Sequence, residues 1–389
     1  MDHTVSNPLL VPLDNPLLIC FSHLRWDFVF QRPQHLMTRA AADYTVVFFE
    51  EPVFETVPSP LLRRKTVAPG LEVTTPILPH LVSGIEVDRA IAILLENLVA
   101  GIEHDHLVTW YYTPMALKFT TALHEDVCVY DCMDELSAFK NAPPELTRLE
   151  EQLFSKADVV FTGGMSLYES KRTRHHSVYA FPSSIDTAHF HQARRPQADP
   201  ADQQTIAHPR VGFFGVIDER FDIDLMARTV AAMPTVQFVT IGPVVKIDPA
   251  TLPAGPNIHW LGAKRYAELP RYMAGWDVGW MPFALNDATR YISPTKTPEF
   301  LAGGLPVVST AIVDVVQTYG RRGLVEIADT GSMPAALSTA LCKGCSETAR
   351  VDAFLSEMSW DSTWSAMQDL LKSAKVLRLP KFSRMVDHV

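Results

Sequence analysis

The sequence predicts an α/β protein of two doubly wound domains whose parallel sheets face a common cleft. Three observations lead there. Short apolar runs alternate with helical patterns along the chain, as parallel strands covered by crossover helices should read. A polar, aperiodic stretch at residues 187–209, with Arg194-Arg195-Pro196 and Ala198-Asp199-Pro200-Ala201-Asp202, divides the series in two. The chain has 389 residues, more than the roughly 250–300 that one hydrophobic core serves.

In the first half, Pro16–Ser22 reads as a buried strand and Gln34–Ala42 as the helix after it. Tyr44–Phe49, Leu107–Tyr111, Val127–Tyr130, Asp158–Thr162 and Val178–Phe181 read as further strands, with helices over Ile85–Gly101 and Pro144–Lys156. The second half opens with the strand Val211–Phe214. It continues through Val236–Ile241, Ile258–Leu261, Val278–Met281 and Pro306–Ser309. The expected division is a first domain at 1–186, a linker at 187–209 and a second domain at 210–358. Two such Rossmann-like units bind ligand between the carboxyl ends of their strands.

Apolar residues make up 47% of the chain and charged residues 20%, a globular composition. The formal charge of −10 argues against wholesale nucleic-acid binding. No apolar run reaches the roughly 20 residues of a spanning helix. No charged segment followed by an apolar stretch opens the chain, so a cytosolic location is expected. Five cysteines fit a reducing compartment. Cys342-Lys343-Gly344-Cys345 has CxxC spacing without the second half of a zinc site, and reads as two ordinary thiols. His104-Asp105-His106 and His175-His176 read as surface histidines. No GxGxxG follows any strand, which excludes a nicotinamide dehydrogenase of the usual type.

The chemistry concentrates in Ser293-Pro294-Thr295-Lys296-Thr297-Pro298-Glu299-Phe300-Leu301-Ala302-Gly303-Gly304-Leu305-Pro306-Val307-Val308-Ser309-Thr310. A helix start, a Lys and a Glu three apart, a double-Gly stop and a buried strand follow one another. Residues three apart share a helix face, so Lys296 and Glu299 can reach one ligand. The helix start and the lysine favour phosphate, and the carboxylate accepts hydrogen bonds from a ribose. A nucleoside diphosphate fits both. Pro298 leaves the helix start open: the helix begins at Pro294 with an interior proline, or Thr297 is the N-cap and Lys296 lies in the loop.

This segment resembles the nucleotide-sugar site of glycosyltransferases with the GT-B fold, above all retaining family 4 and its bacterial cell-surface polysaccharide members. The resemblance covers nearly the whole chain. It implies that Lys296 holds the diphosphate and Glu299 the ribose of a nucleotide-sugar donor, UDP-linked by first expectation. It also implies a last helix, 359–376, crossing back onto the first domain. Gly215 lets the backbone approach a ligand, and Arg220 stands where the family has a basic residue for the diphosphate. The turns at Gly242 and Gly262, with Tyr266, flank the nucleobase in similar enzymes. The usual first glutamate, eight residues before Glu299, is replaced by Tyr291, with Ser293 alongside. The sugar contact is therefore expected to differ from the family's. Asp222-Ile223-Asp224 is similar to a metal-binding DxD, but the aspartates stand where a helix should begin. With Arg220, Lys296 and a helix dipole available, neither metal nor cofactor is expected.

In the first half, His23-Leu24-Arg25-Trp26-Asp27-Phe28-Val29-Phe30-Gln31-Arg32-Pro33-Gln34 crowds charged, amide and aromatic residues at a strand's carboxyl end. Arg25, Trp26 and Gln31 are expected at the acceptor; the plain alternative is a loop pinned by an Arg32–Asp27 pair. Glycosyl transfer removes a proton from the acceptor hydroxyl. Asp131 and Asp134, after the strand Val127–Tyr130, are the leading carboxylates, with Asp27 next; all three could equally cap helices. A saccharide or lipid-linked acceptor is expected. The basic tail (Lys372, Lys375, Arg378, Lys381, Arg384) would allow peripheral contact with an anionic membrane. A nucleotide-sugar 2-epimerase, or an inactive sugar-nucleotide-binding protein, remains the alternative.

Overall fold

The computed structural model describes residues 15–344 and 348–378. Cys345, Lys381 and Arg384 lie outside the described residues. The first sheet contains β1 (Pro16–Ser22), β2 (Thr45–Glu50), β3 (Val53–Glu55), β4 (Leu61–Ala68), β5 (Leu71–Pro79), β6 (His106–Tyr111), β7 (Val127–Cys132), β8 (Val159–Thr162) and β9 (Val178–Ala180). Its order is β3-β5-β2-β1-β6-β7-β8-β9, with β4 on β5. The second contains β10 (Arg210–Phe214), β11 (Gln237–Ile241), β12 (Ile258–Trp260), β13 (Val278–Met281), β14 (Val307–Ser309) and β15 (Glu326–Ile327), in the order β12-β11-β10-β13-β14-β15.

Helices α1 (Arg32–Ala40), α2 (Ile85–Ala100), α3 (Leu146–Lys156) and α4 (Met165–Lys171) accompany the first sheet, and α5 (Thr187–Phe190) begins the connection. Around the second sheet lie α6 (Ile223–Ala232), α7 (Leu269–Met273), α8 (Lys296–Ala302), α9 (Val313–Thr318), α10 (Met333–Lys343) and α11 (Thr348–Leu355). The last helix, α12 (Trp360–Arg378), follows. No helix among the described residues is long and apolar enough to cross a membrane.

Apolar runs become parallel strands here because both faces are covered. Leu17, Ile19 and Phe21 of β1 enter one core, and Leu18 and Cys20 enter the other, the period of two that a strand imposes. In each sheet the strand order reverses beside the first strand, between β1 and β6 and between β10 and β13. Such switch points open crevices at the carboxyl ends of the strands.

Two expectations need correction. The first sheet is not wholly parallel: β4 pairs antiparallel with β5, and β3–β5 carry no expected strand. On β4, Arg63 and Arg64 are exposed and pair with Glu55 (2.8 Å) and Glu72 (2.5 Å). Charge on an edge ribbon hides its pattern and blocks further strand pairing. Nor is 187–209 a loose linker. Phe190 is fully buried in the second core. Arg194 binds the Ala302 carbonyl (2.7 Å) and Asp352, and Arg210 binds Asp199 (2.7 Å). Single anchors of this kind have no period to read.

Helix α12 returns to the first domain. Trp360, Trp364, Met367 and Leu371 join the core containing Leu18 and Cys20, spaced as one helical stripe. The Trp360 indole stacks on His35 of α1 at 4.6 Å and 9°. Truncating a fully buried tryptophan costs about 3–5 kcal/mol. Trp360→Ala should therefore lower the urea midpoint of the first domain's unfolding; an unchanged midpoint would show that α12 does not hold that domain.

Candidate functional site

Helix α8 takes Thr295 as N-cap and Lys296 as its first residue. Pro298 is then the third helical residue, where its missing N–H is one of the four that a helix leaves without an internal partner. The start lies between the two expected ones, and the proline costs nothing there. Lys296 Nζ donates to Thr295 Oγ1 (2.7 Å) and Glu299 Oε2 (3.1 Å). It lies 5.2 Å from the Phe214 ring centroid. Glu299 is buried, and burial pushes its carboxyl above the usual range although Lys296 pulls it down. A buried carboxylate with one ammonium partner still has lone pairs for hydroxyl donors.

At the switch point, β10 runs into Gly215. A Cβ there would lie 3.2 Å from Lys296 Cε and 3.0 Å from Phe213 Cζ, and the backbone holds φ +149. Glycine is what lets Lys296 lie across the strand end. At Gly242, also left-handed in φ, a side chain would strike the Gly215 carbonyl. Gly262 accepts the Gly242 N–H (3.0 Å) from behind; it supports the turn and does not line the cavity.

Arg220 follows this strand end and is gripped by Asp218, with Nε 2.9 Å and Nη2 2.8 Å from its oxygens. Asp222 Oδ1 accepts the Leu225 N–H (2.8 Å) as N-cap of α6, the use its position implied. Across the cleft Asp134 lines the cavity that Arg220 also lines. Burial raises its carboxyl from 3.8 to about 6, with Arg220 pulling the other way.

Asp131 is a different case. Strand β7 runs two residues beyond the expected end, so Asp131 lies within it, fully buried. Arg32 Nε donates to both its oxygens (3.1 and 3.0 Å), Nη2 donates to Oδ1 (2.9 Å), and Nη1 donates to the Phe181 carbonyl (2.7 Å). Asp131 is thus no proton acceptor for an acceptor sugar; it positions Arg32. That arginine, expected to meet Asp27, lines the central cavity beside Lys296. Asp27 lines the cavity of Lys296 and Glu299 rather than the one that Asp134 and Arg220 share, and pairs with the exposed Lys65 (2.7 Å).

Other expected contacts also change. Arg25 is spent on Glu50 (3.2 Å) and the Pro52 carbonyl (3.1 Å). Trp26 lines the cavity of Lys296 and Glu299 rather than an acceptor cavity. Tyr266 lines that cavity but is stacked with both Phe30 (4.5 Å, 28°) and His189 (4.2 Å, 11°), which occupy its ring against a base. Tyr291 packs against the first domain's core, whereas Ser293 lines the narrow cavity beside Lys296. Gln31 lines the cavities on the Asp134 and Arg220 side of the cleft.

Three cavities adjoin. One, about 420 Å³, has Lys296, Glu299, Gly215 and Gly242 and is the donor side in the function proposed below. A narrow centre of about 110 Å³ has Arg32, Asp134, Ser183, Arg220 and Lys296. The third, about 390 Å³, has Gln31, Asp134, Arg220 and Lys246. His23, which opens the β1 loop and had no assigned role, lines this third cavity. Its Nδ1 has no protein partner, and burial with nearby Lys246 pushes its pKa down to about 4. The domains touch around the cleft through Ser183 Oγ to the Ser293 carbonyl (3.0 Å), Lys140 N–H to Glu219 (3.0 Å) and Ser166 N–H to Asp314 (2.9 Å).

No family model matches the chain. TuaH of Bacillus subtilis (strain 168), provisionally assigned as a teichuronic acid biosynthesis glycosyltransferase, is 26% identical over 234 residues, 56% of this chain. The match spans 59% of that relative's length. The solved sucrose-phosphate synthase of Thermosynechococcus elongatus superposes with a TM-score of 0.68 at 13% identity, over 93% of this chain and 100% of that one. A UDP-forming α,α-trehalose-phosphate synthase of Burkholderia xenovorans gives 0.66 at 13% identity, over 93% and 99%. At such identities the likeness is one of fold, and the fold is GT-B: two Rossmann-like domains facing a cleft. The chain resembles GT-B glycosyltransferases of the cell-surface polysaccharide type.

The two aspartates of the β7 end should separate by experiment. Leaving a buried charge unpaired costs about 3–5 kcal/mol, so Asp131→Asn should lower the melting temperature markedly. Asp134→Asn, at the cleft surface, should leave it almost unchanged. Equal melting curves for the two variants would contradict the assignment.

Proposed function

We propose that this protein is a glycosyltransferase moving a sugar from a UDP-linked donor to a saccharide acceptor, free or carried on a lipid, in the making of a cell-surface polysaccharide. The carrying observation is the meeting of Lys296 and Glu299 with Arg220 at the β10–β13 switch point, with Asp134 facing them across the cleft. The UDP-forming fold neighbour and the teichuronic acid assignment of TuaH support the donor and the product class.

In this reading Glu299 accepts hydrogen bonds from the ribose, and Lys296 and Arg220 stabilise the negative charge that develops on the departing diphosphate. Both cations are already held by carboxylates, so little reorganisation is needed when that charge appears. Arg32 closes the central cavity from the first domain. Asp134 takes the proton of the acceptor hydroxyl. The reaction then needs no metal ion, because protein cations meet the leaving group. Peripheral contact with the cytoplasmic face of a membrane, through α12 and its exposed Lys372, would bring a lipid-linked acceptor to the site.

Calorimetry with UDP, GDP, ADP and their sugars tests the donor site. Lys296→Ala should weaken UDP about tenfold or more, the cost of losing a charge-assisted contact, and leave uridine almost unaffected. Glu299→Ala should weaken both. Unchanged UDP affinity in both variants would sink the assignment.

The pH profile tests Asp134. With its pKa raised to about 6, the carboxyl is protonated below that pH and cannot accept a proton. Transfer should therefore rise as pH passes upward through about 6, and Asp134→Asn should lower the rate and abolish that limb. A variant that keeps the acid limb would assign it to another group. UDP and a new glycoside must appear together; an epimerised sugar nucleotide formed without acceptor would indicate the 2-epimerase instead.

A further inference from the structure

We infer that the first-domain loop Trp26–Phe30 is the second wall of the nucleotide site, and that Trp26 and Phe28 supply apolar faces to the nucleobase and ribose of the donor. The inference rests on the donor reading of Lys296 and Glu299 and moves Trp26 from the acceptor to the nucleotide.

Five consecutive residues of this loop line the donor-side cavity opposite Pro243, Lys296 and Glu299. The cavity therefore sets Lys296 and Glu299 on its second-domain side against Trp26, Phe28 and Phe30 on its first-domain side, with Asp27 between these rings. A nucleoside diphosphate offers a partner to each side, with an anionic end and a flat base that stacks on aromatic rings.

The loop is held in place without any ligand. The Trp26 N–H donates to Glu50 Oε1 (2.8 Å), and Gln34 Nε2 donates to the carbonyls of Trp26 (2.8 Å) and Val29 (3.0 Å). Arg25 anchors its first turn to Glu50 and the Pro52 carbonyl. A wall fixed in advance costs little ordering entropy on binding. The Trp26 ring makes a T-shaped contact with Phe48 (5.0 Å, 72°) and is only partly buried where it lines the cavity. Phe28 is 44% exposed and lines both this cavity and the third one, so its ring is open to a ligand in the cleft. Phe30, stacked on Tyr266, sets the gap between loop and second domain. The Asp27 carboxylate, within this loop, pairs with the exposed Lys65 (2.7 Å).

The test uses the whole chain, with UDP and inorganic pyrophosphate as probes, read by calorimetry and tryptophan fluorescence. Trp26→Ala and Phe28→Ala should each weaken UDP about tenfold, the usual loss for one base–aromatic contact. Pyrophosphate, which reaches only the cations, should bind as before. UDP should quench fluorescence less in Trp26→Phe than in the unaltered protein, with affinity largely kept. Phe28→Ala, on a partly exposed residue, answers the question even if Trp26→Ala fails to fold. The inference is overturned if UDP affinity in both variants stays within about twofold while Glu299→Ala weakens it. If UDP does not bind the unaltered protein, the donor reading itself fails and takes the inference with it.

Discussion

The first-domain wall of the cleft depends on Arg32 and its fork onto Asp131. The guanidinium begins α1, the carboxylate lies in β7, and the Phe181 carbonyl just beyond β9 takes a fourth hydrogen bond. Three separate elements are thereby tied at one point, with 3% and 0% of the two side chains exposed. Burying two charges is expensive, and only near-complete hydrogen bonding offsets the desolvation. The pair sets where α1 starts, hence where the loop from His23 to Gln31 lies, and turns a guanidinium edge into the central cavity.

The other cleft cations follow the same rule. Arg220 is held by Asp218 and Lys296 by Glu299. Each is oriented before any ligand arrives, and the low dielectric of the cleft makes each count for more than on open surface. No ion pair holds Asp134 among the described residues. Its neighbours include Arg220, Asp218 and Lys246, and its raised pKa comes mainly from burial. Arg220 and Lys296 on the second-domain side and Arg32 on the first are all paired, while Asp134 lines the cleft between them.

Much of the fold was legible because strand burial and helix amphipathicity are local. The first strand and Val278–Met281 were placed to the residue. The β3–β5 ribbon was not, since its edge carries charge in place of pattern. At the site, Lys296 and Glu299 could be read because one helix turn sets their relation. Asp131 and Asp134 could not be told apart. A strand two residues longer than its apolar run turned one inward, and its partner Arg32 is 99 residues away. Tyr291 faces the first domain's core from the second, and Trp26 lines the cavity of Lys296 and Glu299 from the first; neither relation exists until the domains meet.

By itself the sequence determined the two sheet-and-helix domains and the meeting of Lys296 and Glu299 on α8, because periods of 2 and 3.6 residues and helix-start chemistry act over a few neighbours. Only the tertiary structure decided which aspartate faces the cleft, which cations carry carboxylate partners and which wall Trp26 belongs to. Those outcomes depend on burial and on pairing across domains, and a side chain's partner there is chosen by how sheets and helices pack, at distances that no local spacing encodes.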